Sequence, residues 1–142
     1  MTPPQAPRRH GDGVVVGCRR DDGRWLLIRR SATVPAPLRV CFPGGWVDGG
    51  ESQEAAVIRE MREELGAEVV PLRCVWCHRF RERQLTLWGW LARLCSPHLR
   101  PNPQEVHEVL WLTGDEIRRH PDVLPHTDAF LAALERALAA GA

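Results

Sequence analysis

The segment from Gly44 to Gly66 constrains the fold more than any other part of this chain of 142 residues. It opens with a glycine-rich stretch, in which four of the seven residues from Gly44 to Gly50 are glycine. Ser52 follows as a suitable N-cap, and Glu54 stands in the first turn, where the helix dipole favours an anion. Glycine at the far end suits a C′ position, because it adopts the left-handed backbone without strain. The segment therefore predicts a loop, a helix from about Gln53 to Leu65, and a second loop.

The predicted helix carries three closely spaced carboxylates. Glu60, Glu63 and Glu64 stand at i, i+3 and i+4, so a helix places all of them on one face. A solvated charged face is the commoner explanation of a short run of glutamates. The preceding glycines favour a binding site instead, because backbone without side chains lets a ligand approach closely. Converging oxygen ligands suit Mg²⁺ or Mn²⁺, and such cations assist the attack of water on phosphorus.

These residues resemble the signature of the Nudix family. That signature is Gly, five residues, Glu, seven residues, Arg-Glu, an aliphatic residue, any residue, Glu-Glu, any residue, Gly and an aliphatic residue. Its fixed positions are held here by Gly45, Glu51, Arg59, Glu60, Met61, Glu63, Glu64 and Gly66. Ala67 is smaller than the usual final residue, and Met61 stands in for an aliphatic one. The match runs from Gly45 to Ala67, about a sixth of the chain, and no charged position departs from the pattern.

The resemblance implies a divalent cation, Mg²⁺ or Mn²⁺, bound by the carboxylates of the helix. Glu60, Glu63 and Glu64 would be its ligands, and one of them would orient or deprotonate the attacking water. The backbone carbonyl of Gly44 or Gly45 would complete the coordination. The implied activity is hydrolysis of a diphosphate linkage.

The resemblance also implies supporting roles for residues around the ligands. Arg59 and Glu51 would form an ion pair that fixes the glycine-rich loop against the helix. Many family members use a further carboxylate outside the signature as a ligand or a base. Glu105 and Glu108 are the candidates in this chain, and Glu105 is preferred.

The predicted substrate is a small nucleotide-type diphosphate, such as a nucleoside triphosphate, an oxidised nucleotide or a nucleotide sugar. Arg29, Arg30 and Arg39 flank the loop before the signature and are candidate phosphate contacts, although surface arginines often have no such role. Trp46 lies within the glycine-rich loop and is a candidate for stacking on a base. Gly44 and Gly45 would let the phosphates approach the backbone.

Two further tryptophans, Trp88 and Trp90, alternate along one predicted strand and therefore share a face. Leu85, Leu87 and Leu91 share the opposite face. One face must pack in the core, and the other is free to present a surface to a ligand. Core packing is the favoured role for at least one of the tryptophans.

Two alternatives lie within the same family. Residues 26–31 followed by 42–45 resemble an extra motif of coenzyme A diphosphatases, but the intervening loop lacks the His and Gly of that motif. A non-catalytic sensor with the Nudix fold is the other alternative. Such proteins lose glutamates of the signature, whereas this chain retains them all.

A competing motif, Cys74-Val75-Trp76-Cys77-His78, fits the Cys-x-x-Cys-His pattern of haem attachment. Alternation along a strand would send Cys74 and Cys77 to opposite faces, which disfavours haem. Zinc is disfavoured as well, because no second pair of ligands is evident.

The remaining sequence predicts one mixed α/β domain, since 142 residues suit a single core. Strands are predicted at 13–19 and 24–29, joined as a hairpin, and then at 68–80, 84–95 and 106–112. Thr113 and Glu116 form a capping box, and a final helix is predicted over 127–140. With the resemblance, this order implies an α+β fold: a Nudix-like α/β/α sandwich with a mixed sheet and a catalytic loop-helix-loop. The domain would occupy 13–142, after a flexible tail over 1–12.

Composition narrows the choice of partners. The net charge is +1, which gives no reason to expect nucleic-acid binding, and all nineteen basic residues are arginine. No stretch approaches the roughly 18 apolar residues of a membrane span, and the first twelve residues contain no apolar run. A cytoplasmic protein with reduced cysteines is therefore expected, either as a monomer or as a homodimer.

Overall fold

The computed structural model describes residues 11–141, which form seven strands and three α-helices. The strands are β1 (Gly11–Cys18), β2 (Trp25–Arg30), β3 (Val40–Cys41), β4 (Gly44–Trp46), β5 (Val69–Phe80), β6 (Leu85–Leu94) and β7 (Val106–Leu112). The helices are α1 (Gln53–Leu65), α2 (Gly114–Arg119) and α3 (Thr127–Ala139). Residues 81–83 form a short 3₁₀ turn between β5 and β6.

The strands form two sheets. The four-stranded sheet has the order β4-β1-β6-β5, and the three-stranded sheet has the order β3-β2-β7. In the larger sheet β1 runs parallel to β6, while the β1–β4 and β5–β6 pairs are antiparallel. The smaller sheet is antiparallel throughout. The predicted mixed arrangement is confirmed, but it is divided between two sheets.

Alternating residues of the strands face two separate cores, because successive side chains of a strand point to opposite faces. The core beneath α1 includes Val14, Val16, Leu26, Ile28, Met61 and Leu65. The core beneath α3 includes Trp25, Leu27, Phe42, Phe130, Leu131 and Leu134. The sheets therefore lie between helices on both sides, which confirms the predicted α/β/α sandwich.

Local signals account for the position of α1. The Ser52 side chain accepts a hydrogen bond from the backbone N–H of Ala55 at 3.1 Å, which caps the first turn. Gly66 ends the helix with a φ of 59°, and its N–H donates to the carbonyl of Arg62. The helix spans the predicted residues, and Met61 on its inner face is fully buried. The capping box of Thr113 and Glu116 is also present.

The predicted hairpin of the first two strands is wrong. β1 and β2 belong to different sheets, and an isolated bridge joins Arg19, just after β1, to Trp25 of β2. β1 pairs instead with β4 and β6, partners that lie far along the chain. β1 also begins at Gly11, before the predicted end of the tail, and residues 1–10 of that tail lie outside the described residues. No helix within residues 11–141 is long and apolar enough to cross a membrane.

Candidate active site

The glutamates of α1 face a cavity of about 480 Å³, here called the carboxylate cavity. Its wall is made by α1, the glycine-rich loop and the end of the three-stranded sheet. Its floor is the face of the four-stranded sheet that carries Val15, Leu85 and Leu87. Eight of the predicted site residues line it: Arg30, Gly44, Gly45, Trp46, Glu60, Glu63, Glu64 and Glu105. The structure thus brings together residues from four separate parts of the chain.

Two glycines of β4 let backbone and carboxylate approach closely. A Cβ at Gly44 would lie 1.9 Å from the carbonyl oxygen of Val14, inside the β1–β4 pair. A Cβ at Gly45 would lie 2.4 Å from the carboxyl carbon of Glu60. The side chain of Glu60 therefore occupies the space that any residue other than glycine would need at position 45.

Arg59 joins the helix to the glycine-rich loop. Its Nε and Nη2 donate to the two carboxylate oxygens of Glu51 at 2.8 and 2.9 Å, a bidentate pair. Its Nη2 also donates to the carbonyl of Trp46 at 2.8 Å. Arg59 lowers the pKa of the Glu51 carboxyl below its ordinary value. The structure therefore contains the ion pair that the family resemblance implies, and this pair fixes the loop on α1.

The same guanidinium also contacts two of the proposed ligands. Nη1 of Arg59 donates to Glu60 at 2.9 Å and to Glu63 at 3.1 Å. Burial raises the pKa of Glu60, and the charge of Arg59 opposes that rise. The exposed fraction of the Glu60 side chain is 12%, against 54% for Glu63. Glu60 is thus held inside the cavity, whereas Glu63 stands at its solvent side.

Glu64 and Glu105 place carboxyl groups deeper in the cavity. Glu64 is 7% exposed, and its carboxylate accepts a hydrogen bond from the N–H of Gly44 at 3.2 Å. Burial raises the pKa of Glu64 well above its ordinary value, and the charges of Glu60 and Glu105 raise it further. Oε2 of Glu105 is buried without a hydrogen-bond partner among residues 11–141. Burying a carboxylate oxygen without a hydrogen-bond partner costs free energy. A positive charge bound among these carboxyl groups would offset that cost.

The carboxylates of the cavity are chemically suited to a divalent cation, since Mg²⁺ and Mn²⁺ prefer hard carboxylate oxygens as ligands. Within residues 11–141, however, no three His, Cys, Asp or Glu side chains are arranged so that they could hold a metal ion. The ion pairs of Glu60 and Glu63 with Arg59 account for part of this, because they direct two carboxylates to the guanidinium. A bound cation would require these side chains to turn towards it.

Arg29 and Arg39 lie away from the carboxylate cavity. Arg29 donates to Glu108 at 2.9 Å and to the carboxylate of Asp122 at 2.9 Å. Arg39 donates to the backbone carbonyls of Asp122 and Val123 at 2.9 and 3.1 Å. The three hydrogen bonds to Asp122 and Val123, here called the Asp122 clamp, hold the segment between α2 and α3 against the smaller sheet. Both guanidinium groups therefore form hydrogen bonds that hold parts of the fold together.

Trp88 and Trp90 face α1 rather than the carboxylate cavity. Nε1 of Trp90 donates to the Gln53 side chain at 2.8 Å, and Nε1 of Trp88 donates to Asp12 at 2.9 Å. Both rings pack against the core beneath α1, the role favoured for at least one of them. On the opposite face of β6, Leu85 and Leu87 form the cavity floor, and Leu91 packs in the core beneath α3.

Sequence reasoning did not single out several apolar residues of the cavity wall. These residues are Val34, Pro35, Cys41, Phe42 and Leu124. Leu124 reaches the cavity because the Asp122 clamp holds its segment there, and no local pattern signals such a distant contact. The two-residue strand β3, which carries Cys41, is too short for a periodic signal.

The amino-acid sequence matches the NUDIX domain over residues 9–134. The chain belongs to the Nudix family. The CTP pyrophosphohydrolase of Escherichia coli, a Nudix relative, is 32% identical over 125 residues, which are 84% of this chain and 90% of that protein. The NAD-capped RNA hydrolase NudC of Pseudomonas aeruginosa is 30% identical over 113 residues, which are 80% of this chain. The chain spans only about two fifths (39%) of the length of that relative.

Solved Nudix structures share the fold. A crystal structure of a MutT NUDIX hydrolase from Burkholderia pseudomallei matches with a TM-score of 0.71 at 29% identity, covering 89% of this chain and 98% of that chain. The predicted Nudix-like architecture is therefore confirmed beyond the signature segment itself.

Proposed function

We propose that this chain hydrolyses a diphosphate linkage in a nucleoside diphosphate-X substrate: a nucleoside triphosphate, an oxidised nucleotide or a nucleotide sugar. The observation that carries the proposal is the gathering of Glu60, Glu63, Glu64 and Glu105 around one cavity, with an unpaired buried oxygen on Glu105. Family membership supports this reaction, and two relatives named for CTP and for NAD-capped RNA support a nucleotide substrate.

The proposed cofactor is Mg²⁺ or Mn²⁺. Glu60, Glu63, Glu64 and the carbonyl of Gly45 would hold it, because all four residues line the carboxylate cavity. When bound, the cation supplies neutralisation of the diphosphate oxygens and a lower pKa for the attacking water. Arg59 would hold the side chains of Glu60 and Glu63 in place and fix the glycine-rich loop on α1.

Other residues of the cavity would handle the substrate and the water. Arg30 is the predicted phosphate-binding arginine that lines the cavity, and a guanidinium can bind phosphate oxygens with two donors at once. Glu105 would act as a further ligand or as the base that accepts a proton from water. Glu108 is a weaker candidate for that role, because it is 48% exposed and paired with Arg29.

A substrate panel tests the reaction itself. The full chain would be incubated with nucleoside triphosphates, oxidised nucleotides, nucleotide sugars and coenzyme A, each with Mg²⁺ or Mn²⁺, and the products identified by mass spectrometry. The proposal predicts cation-dependent cleavage between two phosphorus atoms in at least one nucleotide. Absence of cleavage throughout the panel, with nucleotide binding retained, would instead support a sensor.

A pair of variants tests the choice between the two carboxylates outside the signature. Glu105→Gln removes the charge but keeps the size, and we expect turnover to fall by about 100-fold or more, the usual range for loss of a general base. Glu108→Gln is the matched control, and its turnover should stay near that of the wild type. The measurement is the steady-state rate on the best substrate of the panel. A large loss in Glu108→Gln alone would reverse the assignment.

A further inference from the structure

The two cysteines of the Cys-x-x-Cys-His segment lie on β5, the strand at one edge of the four-stranded sheet. Strict alternation predicts that Cys74 and Cys77 face opposite sides of this sheet. The register between β5 and β6 shifts at this point, however, so that Val75 is passed over and Trp76 pairs with Gly89. Val75 and Trp76 both pack against the core beneath α3, although they are consecutive in the strand. One extra residue whose side chain shares a face with its neighbour is the pattern of a β-bulge.

The bulge places both cysteines on one face of the sheet. Cys74 lies opposite Trp90, and Cys77 lies opposite Trp88. Residues that lie opposite one another in an antiparallel pair share a face. Both tryptophans pack against the core beneath α1, so the two cysteines also face the α1 side. The predicted divergence of the cysteines is therefore wrong, because it assumed a regular strand.

The two thiols, here called the thiol pair, are also close to each other along the strand. Sγ of Cys74 donates a hydrogen bond to the carbonyl of Trp76 at 3.7 Å, and that carbonyl belongs to the peptide bond leading into Cys77. Burial raises the pKa of the Cys74 thiol, and negative charge on Cys77 or Glu54 raises it further. A cation bound between the two sulfurs would act in the opposite direction.

The thiol pair is accessible from solvent. Cys77 is exposed and Cys74 is half-buried. Cys18, which lies near Cys95, is instead fully buried, and burial raises the pKa of its thiol to about 12. A ligand from solution can therefore reach both sulfurs of the thiol pair, whereas it can reach only Cys95 of the other two cysteines.

The histidine of the Cys-x-x-Cys-His segment does not join the thiol pair. His78 pairs with Leu87 on the opposite face of the sheet, where its ring contacts that of His126. Haem iron would need an axial imidazole beside the cysteines. Within residues 11–141, moreover, no three His, Cys, Asp or Glu side chains could hold a metal ion together, so tetrahedral zinc lacks its four ligands. Two thiols alone match a soft cation that is satisfied by two sulfur ligands.

We infer that Cys74 and Cys77 form a binding site for a soft, thiophilic cation of the Cu⁺ class, held between the two sulfurs. Thiolates are the protein ligands that such cations prefer, whereas the carboxylates of α1 suit hard cations such as Mg²⁺. Binding displaces the two thiol protons, which pass to solvent, and no electron is transferred. Neither cysteine lines the carboxylate cavity, so this site goes beyond the proposed hydrolysis and does not depend on it.

A competition titration measures this site directly. The reduced full chain would be titrated anaerobically with Cu⁺ in the presence of bicinchoninate, a chelator that changes colour when it binds Cu⁺. The wild type should withhold one equivalent of Cu⁺ from the chelator, and both Cys74→Ser and Cys77→Ser should lose this equivalent. Cys95→Ser is the matched control, because Cys95 is also exposed, and it should retain the equivalent. Retention by either variant of the thiol pair, or no binding by the wild type, would overturn the inference.

X-ray absorption at the copper edge tests the geometry of the loaded wild-type chain. The inference predicts two sulfur neighbours around the copper and no nitrogen neighbour. A nitrogen neighbour would indicate an imidazole ligand and would overturn the site of two thiols. Cys74→Ser and Cys77→Ser should keep the circular dichroism spectrum of the wild type, and they should hydrolyse the best substrate of the panel at its rate. Loss of hydrolysis by folded thiol-pair variants would show that this site is not independent of the carboxylate cavity, contrary to the inference.

Discussion

At the scale of single residues, the site depends on the absence of a side chain as much as on the carboxylates. Gly45 leaves the space in which Glu60 lies, and the Glu60 carboxyl group approaches within 2.4 Å of where a Cβ would stand. Glu60 cannot keep this position beside any larger residue. The first glycine of the signature is thus required by contact with the Glu60 carboxylate rather than by a turn.

Gly45→Ala should therefore displace the Glu60 carboxylate. We expect turnover on the best substrate to fall by about 100-fold, since a shift of about 1 Å at a reacting group has effects of that order. Gly49→Ala is the matched control, because no heavy atom lies within 4 Å of its added Cβ. Steady-state rates of both variants provide the comparison. Full activity in Gly45→Ala would show that the position of Glu60 does not matter.

At the scale of elements, the Asp122 clamp positions the segment between α2 and α3. Arg29 lies on β2, Arg39 immediately precedes β3, and both bind the same short segment. Val40 adds a bridge to Val123, and Leu124 donates its N–H to the carbonyl of Val40. Leu124 therefore reaches the carboxylate cavity because this segment is fixed to the smaller sheet.

The clamp predicts a pH dependence of stability. The hydrogen bond from Arg29 lowers the pKa of Asp122 below its ordinary value of 3.8, and the nearby charges of Arg29, His120 and Arg39 act in the same direction. A carboxyl with a lowered pKa in the folded state stabilises the fold above its unfolded pKa, and that contribution is lost as the pH falls through the folded pKa. Asp122→Asn should therefore be less stable than the wild type at neutral pH.

Urea unfolding at a series of pH values measures this effect. The difference in the free energy of unfolding between wild type and Asp122→Asn should be constant above about pH 5 and shrink below about pH 4. Asp21→Asn is the control, because Asp21 lies in an exposed turn and makes no ion pair with any residue of 11–141. A difference for Asp122→Asn that is independent of pH would show that the ion pair does not stabilise the clamp.

The same elements show what the sequence can and cannot predict. α1 has its predicted bounds because Ser52 and Gly66 act on the backbone beside them. The hairpin of β1 and β2 was predicted from an equally local turn signal, but β1 pairs with β6, and no turn residue encodes that partner. Arg29 and Arg39 were expected to bind phosphate. Both donate hydrogen bonds to Asp122 instead, and Asp122 lies more than eighty residues further along the chain.

At the scale of the whole molecule, the sandwich combines a local motif with distant residues. α1 supplies three carboxylates from one helix face, and these are predictable from spacing alone. The fold then adds Arg30 from β2, Glu105 from the segment before β7, and the open face of the larger sheet as a floor. α3 packs over only part of that face, and the carboxylate cavity lies over the part that carries Val15, Leu85 and Leu87.

The most direct test of the central claim is the turnover of Glu63→Gln and Glu64→Gln on the best substrate of the panel with Mg²⁺ or Mn²⁺. Each variant keeps the size of the side chain but removes a charge that would bind the cation, so we expect losses of about 100-fold or more with the fold intact by circular dichroism. Glu68→Gln, which removes an exposed partner of Arg62, should retain full activity. Rates like those of the wild type in both Glu63→Gln and Glu64→Gln would contradict the account.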